Sequence, residues 1–145
     1  MKLAWAMLAD HAQSRDGLAF IIAGGIDTVY AGELPARLFA SLILQLSFRP
    51  SEAGKHTVTV LTIDDDGAEI ARMEGELGMT SPAGLPSSWD SKAMFAVTLN
   101  GLPLPNYGVY RMDILVDNRA EGELNLRVVR PAEPNREQRR RQPRK

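Results

Sequence analysis

Apolar residues along this chain recur with a period of two, or in short unbroken runs, between clusters of glycine, proline and aspartate. That is the pattern of strands joined by turns rather than of helices. The clearest alternation is His56-Thr-Val-Thr-Val-Leu-Thr-Ile63, where β-branched residues favour a pleated backbone. Leu42, Leu44, Leu46 and Phe48 share a second such face, with Gln45 and Ser47 opposite, so Arg37–Phe48 reads as a strand ended by Arg49-Pro50. Leu3–Ala9 and Leu18–Ala23 are continuous apolar runs on either side of the polar segment Asp10–Gly17, whose Asp16-Gly17 pair suits a tight reversal. Gly24-Gly25 then interrupts the pattern before Ile26–Tyr30, the mark of a bulge, a bend or a strand that changes sheets.

The same reading continues to the C-terminal side. Asp64-Asp-Asp-Gly67 is a hairpin turn between His56–Ile63 and Ile70–Met79, and Thr80–Asp90 is the longest irregular connection. Lys92–Leu99, Val109–Val116 and Glu123–Val129 are the remaining strands. Asn100–Gly108, with Gly101, Pro103 and Pro105, reads as a loop, and Asp117–Gly122 as the last connection. The expected fold is therefore all-β: a two-sheet antiparallel sandwich of eight or nine strands, of immunoglobulin or C2-like architecture, over residues 1–129. Residues 130–145 hold three prolines and no apolar period, and are expected to form a disordered tail.

Charge separates the same two parts. Seven of the 17 basic and two of the 18 acidic residues lie in 130–145, a net of +5. The other 129 residues keep ten basic and sixteen acidic groups, a net of −6. The chain has no cysteine, which excludes disulfides, thiolate metal sites and a cysteine nucleophile, and suits a reducing compartment. The apolar run after Lys2 is too short to span a membrane. A cytoplasmic location is the expectation.

Several ordered motifs run through the body: Leu8-Ala-Asp10, Gly24-Gly-Ile-Asp-Thr-Val29, Asp64–Gly67, Gly101-Leu-Pro-Leu-Pro105 and Gly108-Val-Tyr-Arg-Met-Asp-Ile-Leu-Val-Asp117. In this order and spacing, from Trp5 to Val129, the chain resembles a bacterial family of small proteins of unknown function with a β-sandwich-like body. The resemblance implies the fold and transfers no catalytic residue. Its Gly-x-Tyr element also resembles a tyrosine corner, in which the ring of Tyr110 packs inside and its hydroxyl reaches backbone.

Candidate chemistry is sparse. Only His11 and His56 exist, and Asp10 and His11, adjacent on a strand, point to opposite faces. His56, at the head of a strand, reads as an exposed structural histidine. Asp64, Asp65 and Asp66 are the sharpest acidic cluster and the candidate metal ligands, with a calcium-binding edge as the alternative to a plain turn. No phosphate-binding loop or nucleophile-elbow sequence occurs, so neither a catalytic residue nor a cofactor is nominated. Trp5 reads as core. Trp89 reads first as a cap on the core and second as a partner-binding surface. Arg139, Arg140 and Arg141 are the candidate nucleic-acid contacts, set against an acidic body without a basic stripe. The expected function is non-catalytic: binding a protein partner, or self-association, away from membranes. Ion or ligand binding and a nucleic-acid role through the tail are the alternatives.

Overall fold

A computed structural model describes residues 1–133 of the chain. The nine strands are β1 (Lys2–Arg15), β2 (Leu18–Ile26), β3 (Thr28–Tyr30), β4 (Ala36–Phe48), β5 (Gly54–Ile63), β6 (Glu69–Met79), β7 (Ser91–Leu104), β8 (Gly108–Val116) and β9 (Arg119–Val129). They form two sheets: sheet A in the order β2-β1-β4-β7, and sheet B in the order β3-β9-β8-β5-β6. A 3-10 turn, Pro50–Glu52, joins β4 to β5. The architecture is the expected two-sheet sandwich. Its pairs are antiparallel except that of the three-residue β3, which runs parallel to β9.

The core between the sheets follows from period two. Leu42, Leu44, Leu46 and Phe48 of β4 face Val58 and Val60 of β5 and Tyr110, Met112, Ile114 and Val116 of β8, all buried. Tyr110 forms the expected corner: its ring is 1% exposed, and its hydroxyl donates to the Asn106 carbonyl and accepts from the Asn106 amide, both at 2.8 Å.

Several boundaries differ from the sequence expectations, each for a physical reason. β1 runs on through the polar segment to Arg15, because Asp16 and Gly17, both at positive φ, make a two-residue reversal that pairs Arg15 with Leu18. Asn100–Leu104 continues β7 rather than forming a loop. Gly101 (φ 77°) absorbs a bulge in the β4–β7 register, and Pro103 is tolerated because β7 is an edge strand. The β8–β9 connection shrinks to Asp117-Asn118, two positive-φ residues, so β9 starts at Arg119.

Trp5 is the clearest reassignment. Leu3 pairs with Leu46 but Trp5 with Gln45, so Ala4 is an extra residue in β1. That bulge puts Trp5, Met7 and Ala9 on the face of sheet A turned away from sheet B, beside Ile43. There Ala9, Ala12 and Ile43 form a separate small cluster, with Trp5, Met7, Ala19 and Ala96 packed against it.

The glycine pair behaves as expected. β2 shifts register between the partners of Leu8 and Ala9, with Gly25 at φ 91°, and Asp27 carries the chain from sheet A into β3 of sheet B.

The corner gives a direct check on the core. Truncating a buried aromatic costs roughly 3–5 kcal/mol, whereas deleting a single hydroxyl costs about 0.5–1.5 kcal/mol. Tyr110→Ala is expected to be insoluble or grossly destabilised in denaturant titration. Tyr110→Phe is expected to fold and to sit at the low end of its range, because Asn106 is exposed and its backbone can bond to water. Equal midpoints for Tyr110→Ala and the wild type would contradict this packing.

Candidate functional site

Polar side chains converge at one end of the sandwich. His56 shares the inward face of β5 with Val58 and Val60, and its ring is only 16% exposed. Its Nδ1 lies 2.5 Å from Oδ2 of Asp117, and its Nε2 lies 2.6 Å from the Glu52 carbonyl oxygen. Both partners are acceptors, and a neutral imidazole has one donor, so this geometry fits the imidazolium. The Asp117 carboxylate, followed by the Glu52 carbonyl, holds the His56 pKa above its ordinary value. His56 in turn, with the Thr57 amide, holds Asp117 below the usual carboxylate range. His56 is therefore a clamp rather than an exposed histidine. It ties the start of β5 to the β8–β9 turn, where Asp117 Oδ1 also accepts from the Thr57 amide at 3.0 Å. Neither ring nitrogen is free to take a proton from a substrate.

Two of the three acidic residues hold backbone amides, Asp64 within the turn and Asp65 across to β8. Asp64 Oδ1 accepts from the amides of Asp66 and Ala68, at 3.0 and 2.8 Å, which closes the β5–β6 hairpin. Asp65 Oδ2 accepts from the Val109 amide at 3.1 Å and lies against Gly108. Any Cβ at Gly108 would collide with that carboxylate, and φ there is 135°, so glycine is required at the entrance to β8. Among the described residues, no group of three or more histidine, cysteine, aspartate or glutamate side chains is placed to hold a metal ion.

Trp89 does not cap the core. It stands 59% exposed in the β6–β7 connection, with its amide bonded to the Pro86 carbonyl. Arg139, Arg140 and Arg141, with most of the expected tail, lie outside the described residues.

An exposed apolar surface that the sequence did not single out lies on the β1–β2 hairpin. β1 pairs with β4 only as far as Ala9–Ser41, while its pairing with β2 continues to Arg15–Leu18. Among the described residues, 10–15 and 18–22 are thus a two-stranded arm with no third strand on either side, and such ribbons are marginal alone. On its outer strand Leu18 is 63% exposed, Phe20 47% and Ile22 61%, with Ile21 also exposed. Leu18, Phe20 and Ile22 alternate onto one face, where Arg15 lies over the Phe20 ring. Phe39 is exposed too, on β4 just beyond the point where β1 leaves it. The signal in the sequence is charge: β2 has none in nine residues.

Together these features define a nine-stranded sandwich with an apolar, unblunted edge. The chain belongs to a family of unknown function, DUF6941, whose pattern matches residues 4–129. No curated protein matches the chain. Among solved structures it is similar to a glycosyl hydrolase family 2 member from Bacteroides cellulosilyticus, at 14% identity and TM-score 0.36, covering 64% of this chain and 13% of that one. A β-glucuronidase from glycoside hydrolase family 2 matches at 15% identity and TM-score 0.36, covering 67% and 10%. The Pseudomonas fluorescens alkylpurine DNA glycosylase AlkC, bound to DNA containing an abasic site analog, matches at 14% and TM-score 0.38, covering 87% and 30%. The chain spans less than a third of each of these proteins, and such remote likeness carries no functional argument. No helix among the described residues is long and apolar enough to cross a membrane.

The clamp has a pH signature of defined sign. A raised His56 pKa contributes stability that is complete below the unfolded value, about 6.5, and is lost as pH rises through the higher folded value. The lowered Asp117 pKa contributes stability that is present above the unfolded value, about 3.9, and is lost as pH falls through the folded one. The wild type is therefore expected to lose thermal stability on titration upward from pH 6.5, and His56→Ala to lose that dependence. Parallel melting-temperature profiles for the two proteins would contradict the clamp.

Proposed function

We propose that this domain is a non-catalytic binding or assembly module that engages a protein through the β1–β2 arm. One observation carries the reading: Leu18, Phe20 and Ile22 lie in solvent along an edge strand that bears no charge. Soluble domains blunt such edges with charge, proline or a covering element, because a bare apolar edge templates pairing with another chain.

The polar clusters support the same reading by their occupation. His56, Asp117, Asp64 and Asp65 all direct side-chain atoms to partners within the fold. The work they do is to fix turns and strand ends. A cysteine-free chain suits the reducing cytoplasm, where we place this activity.

Photo-crosslinking tests the reading. A photoreactive residue at position 20 is expected to give a defined protein adduct, identified by mass spectrometry, in extracts of the native host. The same residue at position 74, on the charged edge strand β6, is expected to give none. Adducts at 74 but not at 20, or none at either position, would contradict a docking role for the arm.

A further inference from the structure

We propose that the occupant of this edge is a second copy of the same chain, its β2 running antiparallel to the first about a two-fold axis beside Phe20. The proposal rests on the binding reading above and names its partner.

Among the described residues the sandwich has four sheet edges. β2 and β7 bound sheet A, and β3 and β6 bound sheet B. β6 carries Glu69, Arg72, Glu74 and Glu76, so a two-fold pair there would set glutamates beside glutamates. β7 carries Lys92 and Pro103, and lies beside β6, where Phe95 fills the space left by Gly75. β3 has three residues. Among the described residues, only β2 offers a long run of unpaired backbone groups without a charge or a proline.

That run is self-complementary. With the axis beside Phe20, Leu18 of one copy faces Ile22 of the other, Ala19 faces Ile21, and Phe20 faces Phe20. Every directly opposed pair of β2 residues is then apolar. The irregular backbone of β2 is confined to Ala23–Gly25, so the register from Leu18 to Ile22 is unbroken. Two-fold pairing also gives each two-stranded arm the additional strands that it lacks. The side chains present only a few hundred Å², less than the roughly 800 Å² per partner of a standard interface. A dimer that dissociates on dilution is therefore expected.

Sedimentation of the purified full-length chain over a range of concentrations tests the pairing. The wild type is expected to approach twice the 15.9 kDa of one chain as concentration rises. Leu18→Lys and Ile22→Glu, each at an exposed position, are expected to stay monomeric with an unchanged circular dichroism spectrum. Because residue 18 of one copy faces residue 22 of the other, the double variant L18K/I22E is expected to recover the dimer through two Lys–Glu pairs. A wild type that is monomeric throughout, a dimer indifferent to the single changes, or a double variant that stays monomeric would overturn the proposal. A monomeric wild type that still crosslinks one other protein through position 20 would overturn self-pairing alone; loss of that crosslink would overturn the binding reading with it.

Discussion

A central strand that is apolar on both faces must be covered on both sides, and β4 is such a strand. Leu42, Ile43 and Leu44 are three consecutive residues, all fully buried, although alternate residues of a strand point in opposite directions. Sheet B covers Leu42 and Leu44 and closes the main core. Ile43 looks the other way, toward the face that most sandwiches leave polar and wet. Its cover comes from Trp5, Met7 and Ala9 of β1 and from the alanines of the hairpin arm, Ala12 and Ala19. The length of β1, its bulge at Ala4 and the projecting arm all serve that second requirement.

Covering Ile43 creates a new exposed strand. The arm turns the small residues Ala12 and Ala19 toward the cluster and leaves the larger Leu18, Phe20 and Ile22 in solvent. At the other edge of the sandwich, β6 and β7 lie together and carry charge and proline. At the His56 end, the clamp pins the 3-10 turn, β5 and the β8–β9 turn to one another. Polar chemistry thus closes two boundaries of the fold and leaves the β2 edge to apolar contact. This asymmetry favours the proposal that contacts form at β2 and not at the acidic or histidine clusters.

How much of this the sequence showed depends on where the deciding partner lay. β4, β5 and β8 were legible because burial on one face writes itself as period two, and Tyr110 because its hydroxyl partner, Asn106, is four residues away. The faces of β1 were not legible, since one bulged residue at Ala4 reverses which side Trp5 occupies. Gly101 and Pro103 looked like loop chemistry because a bulge and an edge position, both products of the sheet order, are what permit them in a strand. His56 looked solvent-exposed because its carboxylate partner is 61 residues distant. Asp64 declared itself as a turn, whereas the grip of Asp65 on the entrance to β8 spans 44 residues and left no local trace. The apolar run of β2 was read as a strand without its being an edge, and only the topology turns an uncharged run into an exposed one.

In the proposed dimer the outward backbone groups of β2 are paired. Amide hydrogen exchange of the purified chain, compared at low and high concentration, reads those groups directly. Alternate amides of Leu18–Ile22 are expected to exchange freely in dilute solution and to gain protection as concentration rises, while the amides of β6 stay unchanged. Exchange at Leu18–Ile22 that is fast and independent of concentration would contradict the account.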